Sequence, residues 1–292
     1  MQRWPTVADL ASADLDEVLQ EWSGLGYYAR ARNLHKCAGV VVADFGGHFP
    51  DDEAVLKSLP GVGDYTAAAI AAIAFDQPAT IVDGNVERVI SRLFQIDEPL
   101  PGAKKAIKAQ ATRLTPKTRP GDYAQAIMDL GATICSPRKP ACSLCPWQNR
   151  CQAAAIGDQE TYPVKAPKKQ RPTRRAVVYW LQRQGEQGPE VWMRRRPEKG
   201  LLGGMMEFPS SDWREGKAEP NPPIDADWQP VDGRVVHIFT HFRLELDVEQ
   251  AGAGSQSPEG GQWIRIDRLA EIALPTVMKK VNDLVRENSR KA

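Results

Sequence analysis

Cys135, Cys142, Cys145 and Cys151 follow one another with the spacing C-x6-C-x2-C-x5-C, and the chain has one further cysteine, Cys37. Thiolates this close along a chain can wrap a single metal centre, and four of them suit either a tetrahedral zinc ion or a [4Fe–4S] cube. The central gap resembles one zinc hook, but the outer gaps do not repeat it as paired hooks would. Arg138, Lys139 and Arg150 lie in the same run, so the cysteine loop also presents positive charge, which suits a partner carrying phosphates. Upstream, Leu59-Pro60-Gly61-Val62-Gly63 separates two helical segments. Two glycines permit a tight hairpin whose outward N–H groups, with the dipole of the next helix, can hold a phosphate; a plain turn between helices is the alternative. Asp83 precedes an apolar-periodic segment beginning near Val86 and is a candidate N-cap.

These residues must be positioned by something larger. A chain of 292 residues is expected to form about two domains, and 42% hydrophobic content is enough for ordinary cores. The net charge of +1 does not announce a nucleic-acid binder, so any basic surface must be local. No apolar run reaches membrane-spanning length, and Met1-Gln2-Arg3-Trp4-Pro5 has neither a charged nor an apolar leader character, so no membrane association and no signal peptide are expected. Clustered unpaired thiols point to a reducing compartment. The first half reads as helices: Leu10, Leu15, Val18 and Leu19 with Asp14 as cap, then 51–58, 66–75, 86–94, 103–114 and 123–133. Between 165 and 175 stand Lys165, Lys168, Lys169, Arg171, Arg174 and Arg175 with two prolines and no acid, the composition of an extended, solvated tether that could also touch DNA. Beyond it, 176–181, 190–193, 243–248 and 262–266 read as strands, and 269–272 and 276–287 as helices, so the second half is α+β.

The hairpin is followed by Asp64-Tyr65-Thr66 and an alanine-rich helix, then by Asp83-Gly84-Asn85; upstream stands Gly24-Leu25-Gly26-Tyr27-Tyr28-Ala29-Arg30-Ala31-Arg32-Asn33-Leu34. With the cysteine spacing, this set resembles the MutY-type adenine DNA glycosylases of the helix-hairpin-helix superfamily, and the cysteine run also matches their relative endonuclease III. The resemblance implies a mainly α-helical glycosylase domain over 1–134, a [4Fe–4S] loop over 135–151, a basic linker over 152–175 and a Nudix-like α+β domain over 176–292. It implies one [4Fe–4S] cluster on Cys135, Cys142, Cys145 and Cys151. It makes Asp83 the carboxylate facing the sugar of an extruded nucleotide, where negative charge stabilises an oxocarbenium-like transition state, with Asn85 orienting it. Tyr65 stands where bifunctional relatives carry a Schiff-base lysine, which implies base removal without efficient strand cleavage. Tyr27 becomes a wedge in the duplex, unless it is an ordinary surface tyrosine. Gln125 contacts the flipped adenine, unless it is only a polar residue on a helix surface. Pro60, Gly61, Val62 and Gly63, with Arg138 and Lys139, hold phosphates.

In the second half, Gly203-Gly204-Met205-Met206-Glu207-Phe208-Pro209 lacks the run of metal-binding glutamates that a working Nudix box needs, so pyrophosphatase activity is not expected. Phe239-Thr240-His241 resembles the family's Phe-Ser-His loop, which inspects the guanine lesion; a core position for His241 is the alternative. Gly200-Leu201-Leu202-Gly203-Gly204 departs from the family's Gly-Leu-Trp-Gly-Gly. A further departure concerns the general acid. Adenine leaves well only when protonated, and the family's donor is a glutamate in a helix that ends in Leu-Gln-Gln-Thr-like sequence, which is found nowhere in this chain. Glu21 carries no mark of a substitute. The chain is therefore expected to start downstream of that helix. The expected activity is adenine removal opposite 8-oxoguanine or guanine in double-stranded DNA, by a monomer in the bacterial cytoplasm. A non-catalytic mispair-binding protein is the first alternative, and an endonuclease III-like lyase the second.

Overall fold

The computed structural model describes residues 3–167 and 170–290; Lys168 and Lys169 of the expected linker lie outside them. The chain divides into two compact units, the first formed by residues 3–11 with 36–167 and the second by 12–35 with 170–290. The expectation of one domain over 1–134 differs from this grouping at residues 12–35. Their side chains find partners in the second unit: Asp16 takes both Nη atoms of Arg195, at 2.8 and 2.7 Å, and Ser23 meets Lys279 Nζ at 3.0 Å.

The helices in chain order are α1 (Val7–Ser12), α2 (Leu15–Glu21), α3 (Ala29–Phe45), α4 (Glu53–Ser58), α5 (Asp64–Phe75), α6 (Gly84–Leu93), α7 (Lys104–Leu114), α8 (Pro120–Asp129), α9 (Gln152–Ala155) and α10 (Thr276–Ser289). Local chemistry sets several starts. Asp14, Asp52 and Asp83 each cap the helix that follows by accepting from a backbone N–H of its first turn, a contribution of roughly 1 kcal/mol apiece. The core of the first unit is built on α5, where Ala67, Ala68, Ala71 and Ala72 are fully buried. Small side chains there let α8 approach so closely that a Cβ on Gly121 would lie 2.5 Å from the Ala72 carbonyl oxygen. Beyond α8 the chain widens into a π-turn over Leu130–Ile134 before the first clustered cysteine.

The strands of the second unit are β1 (Thr173–Gly185), β2 (Gly188–Arg195), β3 (Met206–Glu207), β4 (Arg214–Glu215), β5 (Gln229–Pro230), β6 (Val235–Ile238), β7 (Arg243–Gly252) and β8 (Gly261–Arg265). They form a mixed sheet of order β3-β2-β1-β7-β5, with β4 on β1, β6 on β7 and β8 on β2. β1 and β7 run parallel from Thr173↔Arg243 to Gln182↔Gly252, and the other pairs are antiparallel. β1 is covered on both faces. Ala176, Val178 and Trp180 join Met278, Val281 and Val285 of α10 in one core, whereas Leu181 packs with Trp192 and Trp228 on the other side. The expected tether is shorter than 152–175. Tyr162 is buried with its hydroxyl donating to Asp97 Oδ1 at 2.7 Å, and Leu100 N donates to Val164 O at 2.9 Å, so this stretch packs on the helical unit. Thr173, Arg174 and Arg175 already belong to β1, with Arg175 paired to Glu245 at 3.1 Å.

Candidate active site and iron–sulfur loop

Asp83 sits at the head of α6 with both carboxylate oxygens engaged. The Val86 N–H donates to Oδ1 at 2.8 Å, and Asn85 Nδ2 donates to Oδ2 at 3.1 Å. The N-cap reading and the orienting contact from Asn85 are thus realised in one arrangement. Asn85 is fixed in turn, since its Oδ1 accepts from Arg88 Nη2 at 3.0 Å. Arg88 also donates to Gly131 O at 2.5 Å and to Cys135 O at 2.7 Å. Burial pulls the Arg88 guanidinium below its ordinary value, and the neighbouring Cys135 and Asp83 oppose that pull. Gly131 permits the approach: a Cβ there would lie 2.7 Å from Asn85 Cβ.

One turn along α6, Arg92 is 1% exposed. It donates to Ser136 O at 2.8 Å, to Pro137 O at 3.0 Å and to Tyr162 O at 3.2 Å, and its Nη1 lies 3.3 Å from Cys135 Sγ. Sequence reasoning missed both arginines. Nothing in the sequence marks them, because they stand on the side of α6 away from Val86, Val89, Ile90 and Leu93, and their burial is tolerated only because carbonyl acceptors meet them.

All four clustered cysteines line one small cavity, together with Arg92 and Gln159. No three of them meet the spacing of a single-ion site among the described residues. The donor set fits a larger sulfur-ligated group. Cys135 accepts from Arg92, and Cys142 lies 3.5 Å from the Gln159 amide nitrogen, the hydrogen bonding to sulfur that tunes iron–sulfur centres. Burial raises the pKa of Cys145 and Cys151, and the adjacent cysteines raise both further, so occupancy by metal must displace protons. Arg138 and Lys139 are exposed on the same loop, where Lys139 adopts a left-handed backbone (φ 48°) and its N–H donates to Glu160 at 2.8 Å.

The hairpin carries its turn at Gly61 (φ 77°), and Gly63 caps α5 without a side-chain hydrogen bond. Among the described residues, no acceptor appears for the N–H groups of Gly61, Gly63, Asp64 and Tyr65. They are free to meet an anion. Val62 closes the turn by donating to Leu59 O at 3.1 Å, and Pro60 precedes it. Tyr65 is 42% exposed, with its hydroxyl 3.5 Å from Met128 Sδ. Gln125 is exposed on α8, and its amide donates to Gly121 O at 3.2 Å, back along its own helix.

The second unit holds a separate constellation. Tyr27 has φ 47°, is 67% exposed, and carries the Arg30 guanidinium 5.0 Å over its ring. Its hydroxyl lies 3.5 Å from Thr240 Oγ1. Phe239, Thr240 and His241 form the turn between β6 and β7, closed by Phe239 N donating to Phe242 O at 2.9 Å. His241 is exposed, so its core alternative is excluded. Tyr27, Phe239, Thr240 and His241 line a mostly apolar cavity of about 430 Å³. His237 lines the same cavity and was not foreseen. Its ring meets Phe239 edge-on at 4.6 Å, its Nδ1 is buried without a partner among the described residues, and burial, with nearby Lys280, lowers its pKa.

A profile of HhH-GPD superfamily base excision DNA repair proteins matches residues 1–117, one of the iron–sulfur binding domain of endonuclease III matches 135–151, and one of the NUDIX domain matches 176–284. The chain thus combines the helical domain of HhH-GPD base excision DNA repair proteins, an endonuclease III-type iron–sulfur loop and a NUDIX domain. It is 35% identical over 341 residues to an adenine DNA glycosylase of Homo sapiens, covering 96% of this chain and 62% of that protein. Against those of Rattus norvegicus and Schizosaccharomyces pombe the identities are 36% and 32%, covering 67% and 72% of the relatives. The chain belongs to the adenine DNA glycosylase family. It spans 62% of the length of the human relative. The cofactor is an iron–sulfur cluster of the [4Fe–4S] type, carried by the loop 135–151. No helix among the described residues is long and apolar enough to cross a membrane.

Proposed function

We propose that this protein removes adenine paired with 8-oxoguanine or guanine in double-stranded DNA, as a monofunctional glycosylase acting as a monomer. The observation that carries the reading is the fixed Asp83 carboxylate, held by the Val86 N–H and by Asn85, which Arg88 holds in turn. A carboxylate so held needs no reorganisation when positive charge develops on a deoxyribose ring. Its partner in the reaction is a general acid that protonates adenine, and that role is assigned to no residue of this sequence. Gln125 contacts the extruded adenine. The unpaired N–H groups behind Gly61 and Gly63, with Arg138 and Lys139, bind phosphates without reading sequence. Cys135, Cys142, Cys145 and Cys151 ligate the cluster, which supplies a structural staple for the loop; hydrolysis of an N-glycosidic bond moves protons and no net electrons.

Lesion reading belongs to the cavity of the second unit. Tyr27 wedges into the duplex, Phe239 supplies an aromatic wall, and Thr240 and His241 offer hydrogen bonds to the oxidised guanine. Threonine keeps the hydroxyl of the family's serine.

The test is a single-turnover assay on a duplex with one 8-oxoguanine:adenine pair, using this chain and a version extended upstream in its own reading frame. Adenine release that depends on Asp83 supports the reading. Tight, mispair-selective binding with no release from either protein would identify a mispair-binding protein instead. Efficient covalent trapping by borohydride would point to a lyase and overturn it, since Tyr65 offers no amine.

A further inference from the structure

Between Pro99 and Gly121 the chain carries Lys104, Lys105, Lys108, Arg113, Lys117 and Arg119 and no acid, whereas the remainder has more acids than bases. All six cations are exposed. The first four lie on α7, whose Ile107 and Ala111 are buried in the core that also holds Leu59 of the hairpin. Exposed lysines ordinarily balance local acids, but here the acids are few. Lys104 meets Glu87 at 3.5 Å, and Arg119 meets Asp122. Arg113 donates to the neutral Gln110 amide oxygen at 3.1 Å, and Lys108 Nζ donates to Thr80 O. Lys105 and Lys117 make no hydrogen bond or ion pair among the described residues.

Two of these lysines stand where the helix disfavours them. Lys104 and Lys105 open α7, its first turn holds no acid, and its N-cap Ala103 offers no side-chain acceptor. The positive end of the helix dipole repels cations. Lys104 and Lys108 are moreover like charges one turn apart. Helix stability alone would put acids at this end. Charges kept against these costs point to an anionic partner that the chain itself does not supply. The hairpin indicates which one. Asp64, at the head of α5, is bound by Lys57, and its carboxyl is held below the ordinary value by Lys57 first and by Lys108 as well. The basic face thus adjoins the N–H groups of Gly61 and Gly63, which are free to meet a phosphate. A duplex backbone repeats its negative charge along its length and can engage both.

We infer that the exposed face of α7, with Lys105 and Lys117 as its free cations, is a further DNA-backbone site that continues the track begun at the hairpin. Contacts of this kind add affinity without reading sequence. The inference rests on the reading that the hairpin meets DNA, and it adds a surface to that reading.

Fluorescence anisotropy on the full chain with its cluster measures binding of an undamaged duplex between about 50 and 200 mM salt. The variant Lys105→Gln/Lys117→Gln is set beside wild type and beside Lys217→Gln/Arg268→Gln, which removes two exposed charges from the second unit. Neither α7 lysine has a partner to lose, so circular dichroism and Tm are expected to match or exceed wild type. In the α7 variant the slope of log K against log salt is expected to fall by about 2, at about 0.9 per phosphate, and affinity at the low-salt end by at least about tenfold. The control keeps the wild-type slope. An unchanged slope in a folded α7 variant of a protein that binds duplex would overturn the inference and leave the hairpin reading standing. Equal losses in both variants would also overturn it, as a general effect of charge. Poly-glutamate bound by wild type and lost by the α7 variant, with the duplex slope unchanged, would assign the face to an acidic protein instead. A wild type that binds no duplex would remove the hairpin reading and this inference together.

Discussion

Gly131→Ala tests whether α6 and the π-turn before the cysteines hold each other in place. A Cβ at residue 131 would lie 2.7 Å from Asn85 Cβ and 3.1 Å from both the Cα and the carbonyl carbon of Asn85. Carbon atoms pack at roughly 3.5–4.0 Å, so the two segments must separate by on the order of 1 Å. Backbone atoms cannot swing aside as a side-chain tip can. Overpacking of this kind costs about 1–3 kcal/mol. The same separation stretches the bonds from Arg88 to Gly131 and from Asn85 to Asp83, each contributing about 0.5–1.5 kcal/mol. Against this stands about 0.5–1 kcal/mol gained by replacing glycine with alanine. The net expectation is a loss of about 1–5 kcal/mol, or roughly 2–20 °C in Tm for a unit of this size. Gly39→Ala in α3 is the control, because a Cβ there meets nothing within 4 Å and only the stabilising contribution remains. Thermal melts followed by far-ultraviolet circular dichroism and by the visible absorbance of the cluster, under anaerobic conditions, make the comparison. Shifts of the same sign in both variants would refute the argument.

Three further outcomes are expected. Asp83→Ser keeps a capping oxygen for Val86 N but removes the acceptor of Asn85 Nδ2, so stability falls by only about 0.5–1.5 kcal/mol, while adenine release falls by at least about a hundredfold; equal activity would remove Asp83 from the chemistry. Cys145→Ser lowers iron content per chain and the visible absorbance together and destabilises the helical unit, whereas full iron loading would exclude that thiol as a ligand. His237 has a lowered pKa in the folded protein, so the unfolded chain binds more protons around and below its ordinary pKa of about 6.5. Its contribution is present above that pH and is lost as pH falls. Denaturant titrations between pH 7.5 and about 5.5 should thus give a steeper loss for wild type than for His237→Phe.

What could be read in the sequence was what local rules control. Asp14 and Asp83 cap because a short acceptor before an apolar-periodic run has little else to do, and the cysteine spacing announces a metal loop before any fold is known. The two-residue strands β3, β4 and β5 were illegible because nothing in so short a segment distinguishes a strand from a turn; only their neighbours define them. α3 gives little periodic signal because its first turns carry Arg30, Arg32 and Asn33, and its buried Ala31, Cys37, Ala38 and Val41 form only a thin stripe. Arg88 and Arg92 were missed for a different reason. Their burial is explained by carbonyls more than forty residues away, a complementarity that no window of sequence contains. The basic run 165–175 reads as part of one long tether, but the stretch before it is anchored by Tyr162, whose partner Asp97 lies 65 residues away.

The bonds of Arg92 have a bearing on engineering. One side chain closes on Ser136 and Pro137 at the entrance of the cysteine segment and on Tyr162 at its exit. Both ends of the segment are thus clasped at a single point on one helix. Residues 135–162 form a cassette whose graft into another helical scaffold needs, at the acceptor site, one arginine with an open helix face beside it. The same geometry marks where circular permutation would fail: a cut placed between 136 and 162 leaves the clasp holding one strap.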